Sequence, residues 1–228
     1  SATSSLGIEV VVLGMQIFWH GFSCVRIEAK STEKEVMVVT DPYAGESGLR
    51  FPRTLEPEVL VLSHQDKKRF NVEGVLGQPF VINEPGEYEI ADFFVRGIQD
   101  PEVEKETQGS IIYRFNAEEM CVAFLGQLNR QLTNYELEQL GEIDILFVPV
   151  GGGPVLDAKG AAGVIKAVDP RVVIPIYFKT PGVKEKLNDI EPFCKELGVC
   201  VRENTSKLKI LKKDLPAEDM MIYVLDRA

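Results

Sequence analysis

The chain has 228 residues, of which 45% are hydrophobic and 26% are charged, and its formal net charge at pH 7 is -10. This length and composition fit one globular domain with a substantial core. The negative charge argues against binding to nucleic acid or to an anionic membrane surface, which both require a basic face, and no apolar run approaches the roughly 20 residues of a membrane-spanning helix.

The first half of the chain is predicted to be rich in β-strands. The run Ile8–Leu13 is a further candidate strand before them. Short apolar or alternating runs bounded by turn residues favour strands. Such runs occur at Ile17–Trp19, Cys24–Ala29, Glu35–Thr40, Val59–Leu62, Phe80–Ile82, Tyr88–Ile90, Phe93–Ile98, Ile111–Phe115 and Cys121–Leu125.

Helices enter in the second half of the chain. Thr133 and Glu136 have the spacing of a capping box, which predicts a helix that ends near Gly141. Two more helices are predicted, and strands alternate with them. The helices lie at Asp157–Val168 and Ile190–Leu197, and the strands at Ile143–Val150, Arg171–Tyr177, Val199–Arg202 and Met220–Leu225. A β-rich first half followed by this alternation indicates a layered α/β sandwich.

We predict a single domain over residues 15–228. Residues 1–14 form an N-terminal extension that is either native or a remnant of cloning or processing, and they lack the basic start and cleavage site of a signal peptide. The four cysteines include no C-x-x-C pair, so a zinc ribbon or redox motif is not expected. Reduced buried thiols in a cytoplasmic protein are the prediction, and a pair between Cys194 and Cys200 is the alternative.

The segment from Glu58 to Asn71 runs from an apolar strand into a polar turn. The turn contains one of only two histidines in the chain, His64, followed by Asp66, Lys68 and Arg69. It resembles the metal-binding turn of the metallo-β-lactamase superfamily, whose His-x-His-x-Asp-His pattern falls on these four residues. Only the first ligand of that pattern is retained, and two positions carry positive charge.

The resemblance extends from Met15 to about Tyr223. The segments Trp19–Val25 and Thr40–Tyr43 are similar to the early Trp-x-Gly-His-x-x-Phe and Asp-Pro motifs of the branch that includes L-ascorbate-6-phosphate lactonase and Zn-dependent hydrolases. The first histidine of that branch falls on Phe22. The resemblance implies the metallo-β-lactamase αββα four-layer sandwich, in which two mixed sheets pack face to face with helices outside.

Three more metal-ligand positions of the family carry other residues in this chain. The strand-end histidine falls near Gln99, the metal-bridging aspartate on Gln127 and the last histidine on Tyr177. Zinc prefers neutral imidazole, thiolate or carboxylate donors, so amides and a protonated phenol are poor replacements. The two histidines of the chain are too few for a dinuclear site of this family.

Lys68 also opposes metal binding at the polar turn. A fixed ammonium about 4 Å from a divalent ion would be repelled by roughly 8 kcal/mol at an effective dielectric constant of about 20. We therefore expect no dinuclear site and no metal cofactor. The alternative is one Zn or Mn ion held weakly by His64 and Asp66.

The first functional hypothesis is a hydrolase-like protein that has lost dinuclear metal catalysis and serves as a binding or scaffold module. Its ligand would be an anionic small molecule, because positive charge replaces former metal-site residues. The ligand-binding candidates are Lys68, Arg69, Asp41, Gln99, Gln127 and Tyr177. There is an alternative interpretation for most of these candidates. Lys68 and Arg69 form a solvated basic turn, Asp41 caps the turn at Pro42, or Gln127 and Tyr177 fill the former pocket with hydrogen-bonded side chains.

The second hypothesis is an active hydrolase of an ester, lactone or phosphoester. His64, with Asp66, would activate water, and Lys68 or Arg69 would stabilise the developing oxyanion. The alternative for the His64 and Asp66 pair is a relic held by hydrogen bonds at a strand end. A third hypothesis is a structural subunit in a homo-oligomer, as the resemblance to oligomeric lactonases implies.

Overall fold

The computed structural model describes residues 14–30, 34–107, 109–198, 200–202 and 204–228. The candidate strand Ile8–Leu13 and nearly all of the predicted extension lie outside the described residues. Val199, the first residue of one predicted strand, lies outside them as well.

The described residues form fourteen strands and four α-helices. The strands are β1 (Met15–Gly21), β2 (Cys24–Lys30), β3 (Glu35–Thr40), β4 (Val59–Val61), β5 (Phe80–Ile82), β6 (Gly86–Ile90), β7 (Phe93–Ile98), β8 (Ile112–Ala117), β9 (Met120–Phe124), β10 (Ile145–Pro149), β11 (Val172–Ile176), β12 (Val201–Arg202), β13 (Lys207–Ile210) and β14 (Met221–Val224). The helices are α1 (Glu104–Thr107), α2 (Asn134–Leu140), α3 (Ala158–Val168) and α4 (Glu191–Leu197).

Two mixed sheets contain all of these strands. One sheet has the order β13-β1-β2-β3-β4-β5, and the other has the order β12-β14-β11-β10-β9-β8-β7-β6. Strands β3, β4 and β5 run parallel to one another, and so do β9, β10 and β11. Every residue of β10 and β11 is buried, as expected for parallel strands that are covered on both faces.

The helices begin where the sequence provides caps. The Thr133 hydroxyl accepts a hydrogen bond from the Glu136 backbone N–H at 3.2 Å, and the Glu136 carboxylate accepts from the Thr133 backbone N–H at 2.9 Å, so the capping box of α2 is complete. Asp157 caps α3 by accepting from the Gly160 N–H at 2.8 Å. The connection that leaves β3 contains one 3₁₀ turn and the connection that leaves β4 contains two, with no α-helix in either. The four α-helices all follow strands of the eight-stranded sheet.

One hydrophobic core joins the two sheets. The hydroxyl of Tyr113, in β8, donates to the Leu62 carbonyl just after β4, at 2.8 Å. The Phe22 and Tyr177 rings, from opposite sheets, meet edge to face with their centroids 5.3 Å apart. This arrangement of two packed sheets with helices confirms the predicted metallo-β-lactamase sandwich. None of the described helices reaches the length and apolarity that a membrane crossing requires.

Three features differ from the sequence-based expectations. Helix α1, a single turn of four residues after β7, was not predicted. Cys194 and Cys200 form a disulfide with their Cα atoms 5.5 Å apart, so the expectation of reduced thiols is wrong for this pair. The chain turns back between α4 and β12 and brings both side chains within bonding reach. Strand β13 was not predicted, because its alternating sequence Lys207–Ile210 is short and its partner is the distant β1.

Candidate active site

The carboxyl ends of strands from both sheets meet at one edge of the sandwich. Asp41 directly follows β3, Ser63 lies two residues after β4, and Tyr177 directly follows β11. Gly126, two residues after β9, packs so closely against the first sheet that an added Cβ would lie 2.3 Å from the Ser63 Cβ. Ligand sites in open α/β sheets lie outside the carboxyl ends of the strands, so this edge is the candidate site.

Asp41 is the buried polar centre of this edge, with 2% of its surface exposed. Its Oδ1 accepts a hydrogen bond from the Ser63 backbone N–H at 2.7 Å, and its Oδ2 accepts from the Ser63 hydroxyl at 2.6 Å. Burial raises the pKa of Asp41 to about 6, while hydrogen bonds from Ser63 and the Ser23 side chain act in the opposite direction. The carboxylate therefore ties the end of β3 to the end of β4.

A cavity of about 400 Å³ opens above Asp41. An aromatic row forms one side of it: the Tyr43 and Phe22 ring centroids are 5.4 Å apart, and those of Phe22 and Tyr177 are 5.3 Å apart, both edge to face. Its lining consists of Phe22, Ser23, Asp41, Pro42, Tyr43, Ala44, Glu46, Ser47, Arg69, Phe70, Gln127, Tyr177, Lys184 and Glu185. The volume falls within the range of small-molecule sites.

Charged side chains surround the mouth of the cavity. The acidic residues are Glu46 and Glu185, and Glu185 accepts a hydrogen bond from the Tyr177 hydroxyl at 3.1 Å. Desolvation and the Glu185 carboxylate raise the pKa of Tyr177, so this phenol remains protonated at neutral pH. The cationic residues are Arg69 and Lys184. Within the described part of the chain, the Arg69 guanidinium forms no ion pair.

Three lining residues have left-handed backbone conformations. The φ angles are 48° at Phe22, 37° at Asp41 and 55° at Tyr177, a region that non-glycine residues adopt at an energetic cost. Hydrogen bonds hold these positions. The Phe22 carbonyl accepts from the Trp19 indole at 2.9 Å and from the Tyr177 backbone N–H at 2.8 Å, so two strained residues fix each other across the sheets.

The cavity contains four of the residues proposed from sequence, namely Asp41, Arg69, Gln127 and Tyr177. Lys68 is exposed on the same 3₁₀ turn as Arg69 but is not part of the described lining. Gln99 lies in a separate depression and donates a hydrogen bond to the Ser110 carbonyl at 3.0 Å.

His64 and Asp66 also lie outside the lining. The His64 Nδ1 accepts from the Asp66 backbone N–H at 3.0 Å, whereas the Asp66 carboxylate accepts from the Lys68 N–H at 3.0 Å and caps the 3₁₀ turn. The backbone of His64 also pairs with Ser110. The Asp66 carboxylate therefore caps the turn, and the Asp66 backbone N–H donates to the His64 ring.

Residues 16–177 match the family model described as "Beta-lactamase superfamily domain". The chain belongs to this superfamily. It is similar to a UPF0173 protein of Pyrococcus furiosus, at 25% identity over 88% of this chain and 96% of the relative. A UPF0173 metal-dependent hydrolase of Thermoplasma acidophilum is 24% identical over 73% of this chain and 84% of the relative.

Solved structures of the superfamily have the same fold. One of them comes from Thermotoga maritima and is described as a Zn-dependent hydrolase of the metallo-beta-lactamase superfamily. It superposes on this chain with a TM-score of 0.76 at 28% sequence identity, and the superposition covers 92% of this chain and 98% of the Thermotoga maritima chain.

The side chains at the candidate site of this superfamily member do not fit a metal centre. No group of three or more His, Cys, Asp or Glu side chains in the described residues is arranged to hold a metal ion. The polar groups around Asp41 include the Ser63 hydroxyl, the Ser23 side chain, the Gln127 amide and the protonated Tyr177 phenol. The buried Cys24 thiol is also influenced by Asp41, and burial and the Asp41 charge raise its pKa, so it stays protonated. Zinc requires imidazole, thiolate or several carboxylates, so this donor set is poor.

Sequence reasoning missed several residues of the site. Ser63 is the hydrogen-bond partner of Asp41, and its position just before His64 at a strand end was the available signal. Lys184 and Glu185 lie in a segment without periodic pattern between β11 and α4, so the sequence contained no signal for them.

Proposed function

We propose that this protein binds a small anionic molecule in the Asp41 cavity and has lost the dinuclear metal catalysis of its superfamily. The observation that carries the proposal is the Arg69 guanidinium, which has no ion pair among the described residues and stands at the mouth of an aromatic-lined cavity. A guanidinium in this position provides a fork of N–H donors for a carboxylate or phosphate.

The electrostatic environment supports this proposal. Arg69 acts on the charge of both Asp41 and Tyr177, since it opposes the upward pKa shift of each. The guanidinium thus supplies positive potential to the cavity floor. Lys184 adds a second positive charge at the mouth, where the Glu46 and Glu185 carboxylates also lie. The Tyr177 hydroxyl donates to Glu185, so the preference for an anion comes from the Arg69 fork of N–H donors and not from the net charge of the lining.

Binding of benzoate, measured by isothermal titration calorimetry, tests the proposal. Loss of a hydrogen-bonded charged partner should weaken the affinity about tenfold in Arg69→Ala. Lys68→Ala is the matched control, because Lys68 has the same charge on the same 3₁₀ turn but lies outside the cavity lining. An equal effect of both substitutions, or no binding by the wild type, would overturn the proposal.

Metal content tests the second part of the proposal. We expect less than about a tenth of an equivalent of Zn or Mn by mass spectrometry after incubation with either ion and desalting, because the site lacks donors that such ions require. Near one equivalent that disappears in His64→Ala would instead support a mononuclear centre at His64 and Asp66.

A second candidate function is hydrolysis of an ester, lactone or phosphoester. The observation in its favour is that the relative from Thermoplasma acidophilum is named a metal-dependent hydrolase. A panel of these substrates, assayed with the wild type and with His64→Ala, tests this candidate. Hydrolysis by the wild type that is lost in the variant would favour it.

A further inference from the structure

We propose that the ligand of the Asp41 cavity is an aromatic acid with a hydroxyl group at the end of the ring opposite the carboxylate. The ring would lie on the aromatic row, the hydroxyl would donate to Asp41, and the carboxylate would pair with Arg69. This inference rests on the proposed anion-binding function and specifies the chemical class of the ligand.

The aromatic row selects the body of the ligand. Tyr43, Phe22 and Tyr177 are held in consecutive edge-to-face contacts with centroid distances of 5.4 and 5.3 Å. Phe70 adds another ring to the lining. An aromatic ring gains geometry-dependent contact energy on such a surface beyond the burial of its area, so it binds more tightly than a saturated ring of similar size.

Asp41 selects a hydrogen-bond donor. Its carboxylate accepts from the Ser63 N–H and from the Ser63 hydroxyl. A carboxylate has about four acceptor positions, so Asp41 keeps acceptor capacity for a donor on the ligand. A neutral hydroxyl suits this position, because it donates a hydrogen bond to the carboxylate without bringing a second charge to the buried end of the cavity.

The relative depth of the two polar groups sets their positions on the ligand. Asp41 is buried at the floor, whereas Arg69 is exposed at the mouth. A ligand that contacts both groups must carry its donor and its acid at opposite ends. A para-substituted ring meets this requirement.

Calorimetric titration of the wild-type protein with four probes tests the inference. The probes are benzoate, 4-hydroxybenzoate, 4-methoxybenzoate and cyclohexanecarboxylate. We expect 4-hydroxybenzoate to bind about tenfold more tightly than benzoate, since its hydroxyl donates to a charged acceptor. 4-Methoxybenzoate cannot donate and should lose this gain, and cyclohexanecarboxylate should bind more weakly than benzoate.

The variants locate each contact. Arg69→Ala should weaken benzoate and 4-hydroxybenzoate by the same factor, whereas Asp41→Asn should remove the advantage of the hydroxyl. Circular dichroism establishes whether Asp41→Asn is folded, and the wild-type probe series decides the question if it is not. Benzoate binding that depends on Arg69 but gains nothing from the hydroxyl would overturn this inference and leave the proposed function standing. No binding of any probe would overturn both.

Discussion

Gly126 provides the space in which Ser63 holds the Asp41 carboxylate, so Gly126→Ala should destabilise the protein strongly. A side chain at its φ of 55° costs about 1 kcal/mol relative to glycine. The new Cβ would lie 2.3 Å from the Ser63 Cβ and 2.6 Å from its Oγ. Ser63 would therefore move and lose two hydrogen bonds to a buried carboxylate, which costs about 3 kcal/mol at the lower end of the range for charged acceptors. The expected total is about 4 kcal/mol.

Urea unfolding followed by circular dichroism measures this loss. Gly198→Ala is the matched control, because Gly198 has a φ of 83° and nothing within 4 Å of its added Cβ. It should show only the conformational cost of about 1 kcal/mol. Gly45→Ala, at a position with open space and no left-handed φ, should be nearly neutral. If Gly126→Ala loses no more stability than Gly198→Ala, the steric reasoning about Ser63 is refuted.

Three further predictions concern stability. Burial lowers the pKa of His20 to about 4, so the stability that neutral His20 contributes is lost as the pH falls from about 6.5 to 4. The pKa of Asp41 is raised to about 6, so Asp41 changes the stability in the opposite direction over this range. The Asp41 contribution is the same in the wild type and in His20→Gln, and it cancels when the two proteins are compared. The difference in unfolding free energy between these two proteins should therefore shrink by about 2 kcal/mol between about pH 7.5 and about pH 4.5, and a constant difference would contradict the assignment. Replacing both Cys194 and Cys200, which are six residues apart, by serine should cost about 2 kcal/mol, and a reductant should lower the melting temperature of the wild type but not of the variant. Glu136→Ala should cost about 3 kcal/mol, because the Glu136 carboxylate is 1% exposed and pairs with Arg130. The control Glu138→Ala, at an exposed position of the same helix, should change stability by less than about 0.5 kcal/mol.

Elements with local signals were predictable from sequence. The capping box of Thr133 and Glu136 defines α2 because both hydrogen bonds form within four residues. The buried runs that form β10 and β11 were identified because parallel strands covered on both faces are continuously apolar. Pairing between distant segments left no such signal, and β13 was missed for this reason.

The candidate site was predictable only where a family position coincided with a strand end. Asp41 and Tyr177 directly follow buried strands, so the fold alone places them together. Arg69 and Lys68 are adjacent in sequence, yet only Arg69 lines the cavity, and this distinction depends on the direction of a single 3₁₀ turn. The hydrogen bond between Ser63 and Asp41 joins loops more than twenty residues apart and has no sequence signature.

The left-handed conformations of Phe22, Asp41 and Tyr177 bear on the thermodynamics of ligand binding. Strained residues persist only where their surroundings leave them no alternative, so the walls of the cavity are already ordered before a ligand arrives. A ligand that enters such a preorganised cavity has little chain entropy to remove and keeps more of its contact energy as affinity. The free and bound proteins should therefore have nearly the same backbone.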